Sequence, residues 1–138
     1  MTRQLQLLIL DDEPIVGKRL APALTKLGCE IEAFEDPGRA LKRIEEKEFQ
    51  IVVTDVRMEN VDGLQVLEKV LARSPRTKVI MITGYATLEM AREALAKGAF
   101  DFIAKPFTPG DLRKIVVKAA QALGFHLKLG EEEAAASG

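Results

Sequence analysis

The chain has 138 residues, of which 47% are apolar and 30% are charged, a balance typical of one soluble globular domain with its own core. Its 20 basic and 21 acidic residues leave a formal net charge of −1, which argues against nucleic-acid binding, because a phosphate backbone calls for a concentrated basic surface. A single cysteine excludes an internal disulfide, no apolar run approaches the ~18 residues of a membrane span, and the N-terminus lacks a signal-peptide pattern, so we expect a cytoplasmic protein.

Five short apolar runs rich in Ile, Val, Leu and Phe recur along the chain and are typical of β-strands. The first, third and fourth runs are almost continuously apolar, as expected for strands that are covered on both faces of a sheet. In chain order the predicted strands are Leu5–Leu10, Glu30–Phe34, Gln50–Thr54, Lys78–Ile82 and Asp101–Ala104.

Each predicted strand is followed by a segment with helical periodicity. Gly28 and Gly98 predict the ends of the first and fourth helices, whereas Asp36 and Thr108, each followed by proline, predict the starts of the second and fifth. This alternation predicts a parallel sheet with right-handed crossovers and helices on both faces. The apolar stripes that we expect to face the core are Val16, Leu20, Leu24 and Leu27; Leu41 and Ile44; Leu64, Leu67, Val70 and Leu71; Leu88, Ala91, Ala94 and Leu95; and Leu112, Ile115, Val116, Ala119 and Leu123.

Four of the five predicted strands end on polar side chains. In open α/β sheets ligands bind outside the carboxyl ends of the strands, so we expect these side chains to meet at one edge. Each residue alone has an ordinary interpretation as a helix cap, a turn residue or a solvated lysine, but the set together predicts a functional site. Its members are Asp11 and Asp12 after the first strand, Asp55 after the third, Thr83 after the fourth and Lys105 after the fifth.

The three carboxylates constrain the chemistry of the predicted site. Carboxylates that converge at ligand distance repel one another unless a cation lies between them. An all-oxygen site without His or Cys suits Mg²⁺, Mn²⁺ or Ca²⁺ rather than zinc, and an open site with only three carboxylates is how Mg²⁺ is usually held. A divalent cation beside Lys105 is able to hold phosphoryl oxygens, and a central carboxylate can act as the nucleophile that receives the phosphoryl group.

Over residues 5–123 the sequence resembles the receiver domains of bacterial two-component response regulators. The resemblance depends on several short segments that occur in this order with a helix between each pair, since no single segment is specific. They are Leu-Ile-Leu-Asp-Asp-Glu-Pro (8–14), Val-Val-Thr-Asp-Val-Arg-Met (52–58), Asp62-Gly63, Ile-Thr-Gly-Tyr-Ala (82–86) and Ala-Lys-Pro-Phe (104–107). One departure is Glu59, where the family commonly has proline, and it predicts a less restrained loop with an added negative charge near the site.

The resemblance implies a role for each acidic residue of the predicted site. It implies that Asp55 is the phosphorylated aspartate. Asp11 and Asp12 would be the acidic pair that holds Mg²⁺, for which Mn²⁺ is an alternative, and the backbone carbonyl of Arg57 would be a further metal ligand.

The resemblance also implies roles for the residues after the fourth and fifth strands. Thr83 would be the switch hydroxyl, and Tyr85 the aromatic side chain that moves with it. Lys105 would contact the phosphoryl group, and its peptide bond to Pro106 would be cis, which is uncommon even for bonds that precede proline.

At the level of the whole chain the resemblance implies a flavodoxin-like α/β fold, a doubly wound (βα)₅ unit with a five-stranded parallel sheet in the order 2-1-3-4-5. We expect the receiver domain over residues 1–125 and a tail or the start of a linker over 126–138.

The implied function is a signalling switch and not an enzyme. The switch would be phosphorylated by a histidine kinase or histidine phosphotransfer protein, and it would catalyse only its own phosphorylation and slow dephosphorylation. The implied dimer or output partner would use the fourth helix, fifth strand and fifth helix. Alternatively, the chain is the receiver part of a larger transcription regulator of the AAA+ activator type or of a hybrid sensor kinase.

The residues disfavour two functions from other classes. A phosphohydrolase with an aspartate nucleophile would require a second acid/base aspartate two residues later, where this chain has Arg57. An FMN-binding protein of the same topology would require a Ser/Thr/Gly-rich phosphate loop after the first strand. Here that loop contains Asp11 and Asp12, whose charges would repel a phosphate that has no metal ion beside it.

Overall fold

The computed structural model describes residues 4–58, 61–84 and 88–127. Over these ranges five strands alternate with five helices, and none of the helices is long and apolar enough to cross a membrane. The strands are β1 (Gln6–Leu10), β2 (Glu30–Phe34), β3 (Ile51–Asp55), β4 (Lys78–Thr83) and β5 (Asp101–Ala104). The helices are α1 (Pro14–Thr25), α2 (Pro37–Glu46), α3 (Gly63–Arg73), α4 (Leu88–Ala96) and α5 (Pro109–Ala122).

The five strands form one parallel sheet in the order β2-β1-β3-β4-β5, which confirms the predicted order. β1, β3 and β4 lie in the interior of the sheet and are buried along nearly their whole length. Their continuous apolar sequence therefore reflects helices packed on both faces. The register pairs Leu10 with Thr54, Asp55 with Ile82 and Thr83 with Ala104, so the carboxyl ends of the strands are level with one another.

Two hydrophobic clusters, one on each face of the sheet, hold the helices in place. Because side chains alternate along a strand, β1 contributes Leu7 and Ile9 to one cluster and Leu8 and Leu10 to the other. The first cluster contains buried residues of α1 and α5, and the second contains those of α2, α3 and α4. The fold is therefore doubly wound, as predicted.

Local capping explains where three of the helices begin. The side chain of Asp36 accepts a hydrogen bond from the backbone of Arg39 at the start of α2, and Thr108 caps α5, as the sequence predicts. Asp62 forms a reciprocal capping box with Gln65 at the start of α3, which the sequence analysis did not predict. These caps define the ends of the loops that follow β2, β3 and β5.

The stripe predicted for α4 is only half correct. Ala91 and Ala94 are fully buried, but Leu88 and Leu95 are each 37% exposed, so the prediction that both leucines belong to the core is wrong. The small alanines face the sheet and let the helix lie close to β4 and β5, which leaves the two leucines at the flanks of the contact.

Beyond α5 the chain continues to pack against the domain. The backbone amide of Phe125 donates a hydrogen bond to the carbonyl of Ala120 at 2.9 Å. Phe125 and Leu127 are partly buried against the cluster that contains α1 and α5, whereas His126 is exposed. The packed chain therefore extends to the last residues that the structure describes.

Candidate functional site

Three carboxylates meet at the carboxyl edge of the sheet. Asp55 is the last residue of β3, Asp11 directly follows β1, and Asp12 comes next. Because β1 and β3 are parallel neighbours, their ends bring one oxygen from each carboxylate to within 4.8 Å of the other two. Asp11 and Asp55 are buried, whereas Asp12 is exposed. The structure thus brings together the acidic residues that the sequence placed at one edge.

The ammonium group of Lys105 lies among these carboxylates. Its Nζ donates a hydrogen bond to Oδ2 of Asp55 at 3.1 Å and lies 3.5 Å from Oδ2 of Asp11. Burial disfavours the charge of Lys105, but the hydrogen bond to Asp55 and the charges of the surrounding carboxylates outweigh it and raise the pKa of the ammonium group. The Lys105–Pro106 peptide bond is cis, as the resemblance implies.

Glu13 is a member of the site that the sequence analysis did not predict. Its side chain makes no capping hydrogen bond at the start of α1, and Oε1 lies 3.7 Å from Nζ of Lys105. The signal that could have identified it is the run of three acidic residues that follows β1. The carboxylate is largely exposed, so solvent screens its attraction to Lys105.

The carboxylate of Asp11 is an unusual buried acid. Oδ1 accepts a hydrogen bond from the backbone amide of Glu13 at 2.9 Å, but buried Oδ2 accepts none from the described residues. Burial, with a contribution from the charge of Asp55, raises the pKa of Asp11 to about 6, although the Glu13 amide and Lys105 act in the opposite direction. A buried carboxylate oxygen without a hydrogen bond is costly, and a cation that binds it would remove that cost.

The carboxylate of Asp55 is held at both oxygens. Oδ1 accepts a hydrogen bond from the backbone amide of Arg57 at 3.1 Å, and Oδ2 accepts the bond from Lys105. The loop that follows is closed by an antiparallel bridge between Arg57 and Asp62, and Met58 is buried. Glu59, for which we predicted a less restrained loop, lies outside the described residues.

Thr83 lies at the end of the neighbouring strand. Asp55 pairs with Ile82 in the sheet, so Thr83 lies one residue further along β4 toward the carboxyl edge. Its side chain is fully buried, and its hydroxyl donates a hydrogen bond to the carbonyl of Gly84 at 3.0 Å. Tyr85, the predicted partner in the switch, lies outside the described residues.

A recess of about 460 Å³ opens beside Lys105. Its volume falls in the range of ligand pockets, and its lining is mostly apolar, as is usual for such pockets. Its apolar lining comes from Val16 and Leu20 of α1 and from Pro106, Phe107 and Pro109, and the charged Glu13, Arg19 and Lys105 also border it. Apolar surface therefore lies directly next to the charged groups of the site.

A family model described as the response regulator receiver domain matches residues 7–117. The chain belongs to this family.

The Escherichia coli regulatory protein AtoC is 37% identical to the receiver domain over 121 residues, which cover 88% of this chain and 26% of AtoC. The Pseudomonas aeruginosa response regulator protein PilR is 35% identical over 119 residues, which cover 86% of this chain and 26% of PilR. The receiver domain thus spans about a quarter of the length of these curated relatives.

Solved structures agree with this assignment. A response regulator receiver domain protein from Clostridium thermocellum superposes with a TM-score of 0.82 at 26% identity, covering 87% of this chain and 97% of that one. The receiver domain of NtrX from Brucella abortus gives a TM-score of 0.78 at 31% identity, covering 83% of this chain and 98% of that one. The predicted family, fold and general function are therefore confirmed: the domain is a signalling switch of two-component systems, in which receiver domains accept phosphoryl groups from histidine kinases.

Proposed function

We propose that this receiver domain accepts the phosphoryl group on Asp55, in a reaction that depends on Mg²⁺, and passes the event on as a change of conformation. The donor is a histidine kinase or a histidine phosphotransfer protein. The observation that carries the proposal is the convergence of the carboxylates of Asp11, Asp12 and Asp55 within 4.8 Å, with Nζ of Lys105 3.1 Å from Asp55. Asp55 contacts the lysine and shares the cluster with the acidic pair, so a nucleophile there would have both the cation and the ammonium group beside it.

The residues present fit a magnesium ion. Their donor atoms are oxygens, which Mg²⁺ prefers, and buried Oδ2 of Asp11 accepts no hydrogen bond from the described residues. Asp11, Asp12 and Asp55 would hold the ion together with the backbone carbonyl of Arg57. The bound ion would neutralise charge on the oxygens of the transferring phosphoryl group. Mn²⁺, which prefers the same ligands, could take its place.

The transfer itself is a displacement at phosphorus. An oxygen of the Asp55 carboxylate attacks in line, and a new O–P bond forms as the N–P bond to the donor's imidazole breaks, with the electron pair leaving on that nitrogen. The Lys105 ammonium stabilises the charge that develops on the phosphoryl oxygens. The Arg57 amide donates a hydrogen bond to Oδ1 of Asp55 and so restrains the orientation of the carboxylate.

The recess beside Lys105 supports an approach of the donor protein over α1 and Phe107. Its apolar lining borders the reacting groups, and apolar surface of this kind forms the buried centre of protein interfaces. A donor histidine brought in over this surface would reach Asp55 from the side on which Lys105 lies.

The proposed switch begins at Thr83 and ends at α4. After phosphorylation the Thr83 hydroxyl would bind a phosphoryl oxygen, the loop after β4 would move toward Asp55, and Tyr85 would fill the space that it leaves. The exposed Leu88 and Leu95 support α4, β5 and α5 as the surface for an output partner or a phosphorylation-dependent dimer, because exposed leucines lose unfavourable hydration when they are covered.

The domain boundaries and the cellular setting remain part of this proposal. We assign the receiver domain to residues 1–125 and a tail or linker to 126–138, in the cytoplasm. The alternative is a receiver within a larger transcription regulator of the AAA+ activator type or within a hybrid sensor kinase. The transcription regulator is favoured by the length of relatives such as the C4-dicarboxylate transport transcriptional regulatory protein DctD of Rhizobium meliloti, of which this chain covers 22%. Because the charge of the domain is balanced, we propose that the domain itself does not bind nucleic acid. Its only proposed catalysis is its own phosphorylation and slow dephosphorylation.

Intact-mass analysis after incubation with acetyl phosphate and Mg²⁺ tests the phosphosite. The wild-type domain should gain one phosphoryl group through an acid-stable, alkali-labile bond, whereas Asp55→Asn should gain none because its side chain lacks the anionic oxygen. Asp36→Asn is the matched control, since asparagine caps α2 as well as aspartate does. An undiminished adduct in Asp55→Asn would mean that another residue is phosphorylated.

A further inference from the structure

The first residue of α3, Gly63, lies closer to the backbone of Asp55 than a side chain would permit. A Cβ atom at position 63 would lie 2.7 Å from the carbonyl oxygen of Asp55 and 2.8 Å from Cα of Val56. It would also lie 2.7 Å from Cε of Met81. All three distances are shorter than real Cβ contacts, so even one added methyl group requires a neighbour to move.

Of these three neighbours, only Cε of Met81 can turn aside, because it is the end of a flexible side chain. The other two cannot move independently. The carbonyl of Asp55 and Cα of Val56 belong to the backbone at the end of β3, which is hydrogen-bonded to β4 through the amide of Val56 and the carbonyl of Ile82. A side chain at position 63 would therefore displace the strand end or push the start of α3 away from it.

The same stretch of backbone orients the Asp55 carboxylate. The amide of Gly63 donates a hydrogen bond to the carbonyl of Val56 at 2.6 Å, and the Arg57–Asp62 bridge closes the loop between them. The Arg57 amide in turn holds Oδ1 of Asp55 at 3.1 Å. A shift at Gly63 is thus transmitted through a short, closed loop to the carboxylate.

We infer that Gly63 is a positioning residue of the Asp55 site: its missing side chain lets α3 begin against the end of β3 and thereby sets the orientation of the Asp55 carboxylate and the Arg57 backbone. This inference rests on the proposed function, because it assigns to Gly63 the placement of the proposed nucleophile. A displacement of about 1 Å at a reacting group can lower a rate by about a hundredfold.

Gly38 provides a matched control. Like Gly63, it lies in the first turn of a helix, and a Cβ there would lie 3.5 Å from its nearest neighbour, Oδ2 of Asp36, which is an ordinary contact. Gly63→Ala and Gly38→Ala therefore make the same chemical change in similar local structure, and they differ in what the added methyl group meets.

The experiment compares wild type, Gly63→Ala and Gly38→Ala under conditions in which urea titration shows all three to be folded. Three quantities are measured: the NMR shift of the Arg57 amide in metal-free protein, the apparent Kd for Mg²⁺ from the same spectra, and the labelling rate with acetyl phosphate. In Gly63→Ala we expect a displaced Arg57 signal, weaker Mg²⁺ binding and labelling about tenfold to a hundredfold slower, whereas Gly38→Ala should match wild type.

A second background separates positioning from core packing. Met81→Leu removes the terminal methyl group that Gly63→Ala would meet and nearly conserves volume. Because the backbone contacts remain, the double variant Gly63→Ala/Met81→Leu should label as slowly as Gly63→Ala. A return to the Met81→Leu rate would overturn the inference. The double variant also replaces Gly63→Ala should the single variant not fold, and if neither folds, Gly63 serves the fold as a whole and the inference is wrong.

The outcomes distinguish this inference from the proposed function. If wild type is labelled at Asp55 and Gly63→Ala is labelled equally fast, the inference fails and the proposed function stands. If wild type is not labelled, the proposed function fails, and the Arg57 amide in metal-free protein still decides whether Gly63 sets the geometry of the loop.

Discussion

Nζ of Lys105 lies 3.1 Å from Oδ2 of Asp55, although the two residues are 50 positions apart in the chain. They meet because β4 lies between β3 and β5, so that the ends of the two flanking strands face each other across Thr83. The contact joins the proposed nucleophile to the ammonium group of Lys105. A bound Mg²⁺ ion would have to share the carboxylate oxygens with that group.

Removal of Lys105 should therefore lower the stability of the metal-free domain but increase its stabilisation by Mg²⁺. Lys105→Ala leaves the acidic cluster without its ammonium group, and we expect the free energy of unfolding in metal-free buffer to fall by about 1–2 kcal/mol, a value reduced for the partial exposure of the lysine. The rise in melting temperature on adding Mg²⁺ should be larger than in wild type, because the ion no longer competes with the ammonium group. Thermal melts with and without millimolar Mg²⁺ measure both effects. Lys118→Ala, at an exposed position of α5, is the control, and an equal Mg²⁺ shift in all three proteins would contradict the competition.

Lys105→Ala should also lose most of the response to phosphorylation. The ammonium group is one of two cations proposed to face the phosphoryl oxygens, and charge-assisted hydrogen bonds of this kind are among the stronger ones. The NMR signals of α4 with and without beryllofluoride, a mimic of the phosphoryl group, report the response. Wild-type-sized changes in Lys105→Ala would show that the lysine does not contact the bound group.

Asp11→Asn should stabilise the metal-free domain at neutral pH. Since the pKa of Asp11 is raised from 3.8 to about 6 in the folded state, its contribution to stability is fully present below pH 3.8 and is lost as the pH rises through 6. At pH 7 the ionised group costs up to about 3 kcal/mol, part of which Asn removes. In urea titrations from pH 4 to pH 7, the free energy of unfolding of Asp11→Asn should exceed that of wild type by a difference that grows with pH. A constant margin, or one that grows toward low pH, would mean that burial of the charge is not the cause.

Asp12→Ala should weaken the stabilisation by Mg²⁺ with little effect on the metal-free domain. Asp12 is exposed, so its removal disturbs no packing, but it withdraws one of the three carboxylate oxygens proposed as metal ligands. A ligand that binds only the folded state at ten times its Kd adds about 1.4 kcal/mol, and a tenfold weaker site would retain about 0.4 kcal/mol of this. The shift of the thermal melt with millimolar Mg²⁺ is the measurement. Glu45→Ala, at an exposed position of α2, should keep the full shift, and equal shifts in Asp12→Ala and wild type would exclude Asp12 as a ligand.

Thr83→Ala should still be phosphorylated but should respond poorly. A hydrogen bond from Thr83 to a charged phosphoryl oxygen is worth about 1.5–3 kcal/mol, enough to shift a nearly balanced equilibrium between two conformations. The measurements are Tyr85 fluorescence and the NMR signals of residues 88–95 with and without beryllofluoride. Thr25→Ala, which removes an exposed hydroxyl at the end of α1, is the control. Identical signals with and without beryllofluoride in wild type would refute the switch while leaving the phosphosite intact.

The sequence determined the elements of this domain and the edge at which its polar residues gather. Continuous apolar runs predicted the interior strands, the Asp36 and Thr108 caps marked two helix starts, and the carboxylates after β1 and β3 were expected at one edge. These predictions hold because strand burial, capping and the direction of parallel strands depend on local pattern and on general rules of chain connection.

Only the tertiary structure decided how close the groups at that edge come. It set the contact of Glu13 with Lys105, left buried Oδ2 of Asp11 without a hydrogen bond from the described residues, and exposed Leu88 and Leu95. These features depend on packing between elements that are far apart in the chain. Gly63 shows the difference most clearly: the sequence marks it as part of a short motif, but its requirement for glycine follows from the approach of α3 to the end of β3, a distance that no local pattern of residues specifies.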